Sequence, residues 1–353
     1  MDKDRIWKKF KQKEVFYCSY ISSRVLKILK SLMAEVDGVY RADDIEHIHR
    51  MRVATRRIRS VLAVFDCCCK PKKLKKWRKE IRNITRRLGL ARDLDVKAEF
   101  LSKVISDVDE KVPADYLIVH IGEMKDFGRL KKSGDPEHIK PGLEYVLLRI
   151  KQKRERIQPY VIEAMDEFLK SKVADEMKEF CDTLKEDVKN TGKEDVSLER
   201  YGLKEANKYI FLQVQELYKY QPFVIFPEKI KKHHDMRITS KKLRYTMELF
   251  DGLYPDEFKD LISKVKKLQS LLGDMHDCDV WLEYLPKFVL DERKKAYNFF
   301  GNGAFFEYIE PGINYLKNLQ KGNRDKIYNE FVAFWNDNFE RGFREDIGRL
   351  IEM

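Results

Sequence analysis

Apolar residues recur along nearly the whole chain at the three-to-four-residue spacing of a helix face. No alternating run lasts long enough to predict a strand. Asp43 and Asp44 stand as candidate N-caps for a helix running through Phe65. Pro71 opens the next helix, with Gly89 as its C-terminal stop, and Arg92 to about Glu110 reads as a third. Lys131–Gly142 is expected to be a loop, and Asn190–Ser197 the junction between two halves. Gln221–Pro227 is too short and too proline-bounded for a convincing strand. The pattern predicts an all-α protein.

The pattern also repeats. HRMRVATRRIRSVLAVF (His49–Phe65) returns as HDMRITSKKLRYTMELF (His234–Phe250), 185 positions on. His49, Met51, Arg52, Arg59 and Phe65 meet the same residue types at His234, Met236, Arg237, Arg244 and Phe250. Arg56 and Arg57 become Lys241 and Lys242. LGLARDLDV (Leu88–Val96) then matches LGDMHDCDV (Leu272–Val280), 184 positions on. Two ordered matches at nearly one displacement read as a duplication, with halves 1–190 and 191–353.

At about 100° per residue, His49, Arg52, Arg56 and Arg59 share one arc, and Met51, Ala54, Ile58, Val61, Leu62 and Phe65 share another. The second repeat places His234, Arg237, Lys241 and Arg244 on the first arc. Met236, Thr239, Leu243, Met247 and Phe250 lie on the second. Each helix therefore carries a core stripe and a separate basic stripe, roughly 15 Å long at about 1.5 Å rise per residue.

Charge sharpens this reading. The 353-residue chain carries +12, yet His49–Arg92 alone holds sixteen Lys/Arg against two acids, a net of +14. His234–His276 holds eight against seven, and its stripe is still cationic. Solvated faces usually mix signs, because like charges one turn apart repel. A stripe kept basic while the surrounding charge differs points to an anion. Arginine offers a planar fork to phosphate oxygens, lysine a point charge, and histidine one or two donors. Single-strand binders add exposed aromatics, and only Tyr245 lies beside a stripe, so phosphates without bases fit better than nucleic acid.

The N-terminal MDKDRIWKKFKQKEVFYCSY lacks the apolar run of a signal peptide, and no segment has the length of a membrane span. A cytoplasmic protein without a membrane partner is expected. Six cysteines, including Cys67, Cys68 and Cys69, show no zinc-finger spacing and read as reduced, half-buried thiols. No metal or cofactor is expected. His49 has arginines at its helical neighbours where a metal site wants carboxylate, thiolate or imidazole. His47 and His49 point to different faces, as do His233 and His234.

A doubled H-x-x-R-x-x-x-(R/K)-(R/K)-(I/L)-R helix, each followed by LG-x-x-(R/H)-D-x-D-V, resembles the CHAD family, the conserved histidine α-helical domains. The resemblance covers nearly the whole chain and is firmest at 43–100 and 228–290. It implies two similar four-helix bundles related by pseudo-two-fold symmetry around a basic central channel. It also implies binding of inorganic polyphosphate and association with polyphosphate granules. Carried over, His49, Arg52, Arg56 and Arg59 line one side of the channel, and His234, Arg237, Lys241 and Arg244 the other. Arg57 and Lys242 are included beside them. Arg82 and Arg86 extend the basic surface, as does Lys266, which aligns with Arg82. Asp93, Asp95, Asp277 and Asp279 are expected to orient stripe arginines.

CHAD domains are often fused to a triphosphate tunnel domain carrying E-x-E-x-K. That motif is missing here, as are the G-x-x-x-x-G-K-(S/T) loop and H-E-x-x-H. The expectation is a non-catalytic polyphosphate binder. A sequence-independent nucleic-acid binder is the first alternative and a polyphosphate-processing enzyme the second.

Overall fold

The computed structural model describes residues 12–109, 136–190 and 196–352, and every regular element among them is helical. In chain order these are α1 (Gln12–Met33), α2 (Val36–Arg41), α3 (Ile45–Ala63), α4 (Pro71–Asp109), α5 (Pro136–Lys170) and α6 (Val173–Asn190). Then come α7 (Val196–Tyr218), a 3-10 turn (Gln221–Phe223), α8 (Ile230–Phe250) and a second 3-10 turn (Asp251–Leu253). The chain closes with α9 (Glu257–Phe300), α10 (Ala304–Trp335), a π-helical stretch (Asn336–Phe343) and α11 (Arg344–Glu352). Among the described residues no helix is long and apolar enough to cross a membrane.

Local signals account for several starts. The Asp44 carboxylate accepts from the Glu46 N–H at 2.8 Å and caps α3. Pro71 and Pro136 stand first in α4 and α5, where no N–H is required. Two boundaries differ from the sequence expectation. α4 does not stop at Gly89 but runs on to Asp109, absorbing the segment that read as a third helix. α5 makes residues 136–142 of the expected loop helical, because proline suits a helix start as well as a turn. Residues 131–135 of that loop and 191–195 of the junction lie outside the described residues.

The chain forms two compact units, and each draws on both sides of the junction. The first comprises residues up to Arg92, Gln158–Gly273 and Glu330 onward. In it α1 packs on α3, α6 and α7, and α8 packs on α7 and α3. All six residues of the first core stripe and all five of the second are buried. Each large aliphatic or aromatic side chain buried this way contributes about 1.5–3 kcal/mol. Cys18 on α1 is disulfide-bonded to Cys68 in the turn before α4, which corrects the expectation of reduced thiols. Spacing could not reveal the pair, because its members are 50 positions apart on different elements. Cys69, Cys181 and Cys278 are buried and Cys67 is exposed.

The second unit holds Asp93–Ile157 and Asp274–Asn329. Parts of α4, α5, α9 and α10 enclose its core, which includes Leu101, Val104, Leu143, Ile150, Trp281, Leu285, Phe306 and Ile313. α5 and α10 cross at Gly142 and Gly312. A Cβ on either would stand 2.1 Å from a carbonyl oxygen of the other helix, so only glycine permits this approach.

Candidate anion site

In the first unit α3 and α8 pack together, each turning its apolar stripe into the core. Their basic stripes are thereby brought into electrostatic contact. Arg52 and Arg56 of α3 act on Lys241 of α8 together with Arg237 and Arg244. Burial, reinforced by these four guanidinium groups, pushes the Lys241 amine from 10.5 down to about 7. Burial also lowers Arg56, with Arg52, Arg237 and Arg244 adding to the effect. The Arg56 guanidinium carbon lies 5.7 Å from the centroid of the buried Tyr245 ring, and that of Arg244 lies 4.8 Å from it. This π-face and Glu248, 3.3 Å from Arg244, offset part of the charge. Among the described residues no carboxylate pairs with Arg56, Arg237 or Lys241. The buried Nε of Arg237 has no hydrogen-bond partner among the described residues.

The repeated LG motif now has a physical reason. A Cβ at Gly89 on α4 would stand 3.4 Å from Arg52 Nε, and one at Gly273 on α9 would stand 3.6 Å from Arg237 Nε. A methyl group would just touch each guanidinium, and any longer side chain would take its place. Gly89 thus makes room for an arginine inside a continuous helix rather than ending one.

The flanks of the cluster are also cationic. Arg59 is lowered by burial and then by Arg82 of α4, so these two predicted residues are neighbours. His49 is held below 6.5 by burial, then by Arg92, Arg52 and Arg56, against the opposing pull of Glu46. His234 is lowered by burial, then by Arg237, Lys241 and Lys231, against Asp235. Both imidazoles are therefore neutral near pH 7 in the free protein. His47 and His233 face elsewhere, as expected. His47 lies 2.7 Å from Glu35, and the buried His233 donates from Nε2 to the Phe223 carbonyl at 3.0 Å.

The other predicted residues are not drawn into this cluster. Arg57, Lys242, Arg86 and Lys266 are exposed. Arg57 lines a flanking cleft of about 390 Å³ with His49, Lys27, Arg50 and Glu35. Arg86 borders a smaller one of about 80 Å³ with Glu80, Arg87 and Glu167. In the second unit, Asp95 and Asp279 form ion pairs with Arg154 at 2.7 Å and Arg324 at 2.6 Å, arginines outside both stripes. Asp93 and Asp277 are exposed and act on Lys97. Three sulfurs, of Cys18, Cys67 and Cys68, lie within 4.8 Å of one another, but the disulfide joins two of them.

Sequence reasoning missed Arg92, which sits beside His49 with its side chain 12% exposed and Glu46 at 3.7 Å. Its place in the second motif, aligned with His276, was the available signal. It also gave Tyr245 no role among the guanidinium groups.

No curated protein matches the chain. The structure is similar to the crystal structure of the CHAD domain from the plant Ricinus communis. The TM-score is 0.56 and the identity 16%, over 90% of this chain and 91% of that one. The CHAD domain model of protein families matches residues 24–286, which include both basic stripes and both LG motifs. On that match over most of its length, the chain belongs to the CHAD domain family.

Proposed function

We propose that the basic cluster of the first unit binds inorganic polyphosphate without catalysing its turnover. One observation carries this reading: Arg52, Arg56, Arg237, Lys241 and Arg244, drawn from both repeats, act on one another, and among the described residues no carboxylate pairs with Arg56, Arg237 or Lys241. Cations gathered against their own repulsion are stabilised by an incoming anion. A chain of phosphates, one charge at each step, meets a roughly 15 Å stripe along its length. The CHAD family's association with polyphosphate agrees with this.

In this reading halves 1–190 and 191–353 are the two repeats of one CHAD domain. They form two four-helix bundles in pseudo-two-fold arrangement, with the cluster in a basic channel. Association with polyphosphate granules follows from the same affinity. Tyr245 argues against nucleic acid, because the ring is buried and engaged by two guanidinium groups and so cannot stack a base. The cluster supplies charge and donors, whereas phosphoryl transfer needs metal-held carboxylates and a positioned nucleophile.

The test is competition at fixed salt and equal phosphate concentration. Long-chain polyphosphate is expected to displace single-stranded DNA, and pyrophosphate to bind far more weakly than the long chain. Displacement of polyphosphate by DNA would overturn the reading in favour of a nucleic-acid binder.

A further inference from the structure

Lys241 occupies the place in the second repeat that Arg56 occupies in the first. The two differ in one chemical respect: a guanidinium stays charged in any protein environment, whereas an amine can release its proton when buried among cations. The environment of Lys241 has that character. It is half-buried on α8, which packs on α3, and one turn away Arg56 and Arg244 converge on the Tyr245 ring at 5.7 and 4.8 Å; these two, with Arg52 and Arg237, act on it most strongly. His234 also lies within its influence, and Glu248 is engaged by Arg244. α7 packs on α8 as well, and none of its charged side chains is among the groups that act most strongly on Lys241.

We propose that Lys241 links anion capture to proton uptake: a phosphate entering the cluster draws one proton from solvent onto Nζ, converting the amine to an ammonium that pairs with the incoming oxygens. This rests on the polyphosphate reading above and adds its regulation. The step balances, because neutral amine plus one solvent proton gives the ammonium and nothing else changes. The asymmetry between repeats then has a use. Arg56 anchors the polymer at any pH, and Lys241 grades its retention.

The sign follows from linkage. In the free protein Lys241 sits at about 7, and a bound anion raises it. Affinity is therefore fullest below neutrality and falls as pH rises from 7 through 9, although internal phosphates keep their charge. The histidines start below 6.5, so their own window opens at lower pH, and removing them separates the two contributions.

Calorimetry of the full chain with long-chain polyphosphate at pH 8, in two buffers of different ionisation enthalpy, reads the proton directly. Uptake of about 0.9 proton per protein molecule is expected from a group near 7 at that pH. Affinity should fall roughly tenfold or more from pH 7 to 9. Lys241→Arg should take up almost none and hold its affinity across that range, whereas the His49→Gln, His234→Gln double variant should keep the uptake. Without any variant, the 13Cε resonance of Lys241 should titrate near neutrality in the free chain and stay at its protonated position to pH 9 with polyphosphate. Binding without uptake, full uptake in Lys241→Arg, or no titration of Lys241 below pH 9 would overturn proton linkage while leaving polyphosphate binding intact. Failure to bind at pH 6, where Lys241 is charged, would overturn the functional reading itself.

Discussion

In the unit built from 93–157 and 274–329, three buried or half-buried arginines have carboxylate partners. Arg154 meets Asp95 at 2.7 Å, Arg324 meets Asp279 at 2.6 Å, and Arg149 meets Glu292 at 2.9 Å. Tyr145 adds a hydrogen bond to the same Glu292 at 2.6 Å. In the other unit, Arg56, Arg237 and Lys241 are held at least half out of water with no carboxylate among the described residues to answer them. The same physics prices both arrangements. A desolvated charge costs several kcal/mol unless a counter-ion offsets it. At these three arginines the second unit meets that cost internally. The first leaves it open at Arg56, Arg237 and Lys241, where the proposed function has the counter-ion arrive from outside.

The largest effect should come from emptying the open cluster. Replacing Arg52, Arg56, Arg237 and Lys241 with Ala should weaken long-chain polyphosphate binding by at least about a thousandfold, since charge-assisted hydrogen bonds contribute about 1.5–3 kcal/mol each and neighbouring losses are less than additive. Replacing the exposed Lys72, Lys75, Lys79 and Lys204 removes the same charge from ordinary surface and should cost less than about tenfold, screened by salt. Equal losses from the two sets, measured by titration at one ionic strength, would erase the distinction between cluster and surface.

Breaking the closed pairs should do the opposite. Asp95→Asn leaves Arg154 without its counter-charge and should lower unfolding free energy by about 3 kcal/mol in denaturant melts. Polyphosphate affinity at a temperature where the variant is folded should stay close to wild type. A large loss of affinity without loss of stability would move Asp95 out of the scaffold role.

The histidines should give the smallest effect. Both are depressed by burial and neighbouring cations, and a bound phosphate raises them. Their contribution is therefore present at low pH and fades as pH rises through the value in the complex. In the His49→Gln, His234→Gln variant the gain in affinity between pH 7 and 5 should shrink a few-fold. An unchanged slope would place the imidazoles outside the ligand's reach.

Much of this contrast was legible in the sequence. The apolar and basic stripes of α3 and α8 follow from helical periodicity alone, and every residue of both core stripes is buried. The Asp44 cap is a local signal and reads correctly. What failed was long-range. Glycine at position 89 looks like a helix stop because local propensity is all that a sequence window offers, whereas its reason is the Arg52 side chain of another helix. The partners of Asp95 and Asp279 lie 59 and 45 positions away on other helices. The Cys18–Cys68 disulfide joins a helix to a turn. The depression of Lys241 depends first on burial and then on four arginines converging from two helices, and spacing names these residues without showing how deeply they are buried.

The central claim is that the first unit trades stability for an external counter-ion. It is tested most directly by measuring two quantities on one variant, Arg56→Met with Lys241→Met: unfolding free energy of the free chain, and affinity for long-chain polyphosphate. At pH 6, where Lys241 is charged, removing these two cations from a half-buried place should raise stability by about 1 kcal/mol, while affinity falls at least tenfold. A less stable variant, or one that binds polyphosphate as tightly as before, would contradict the account.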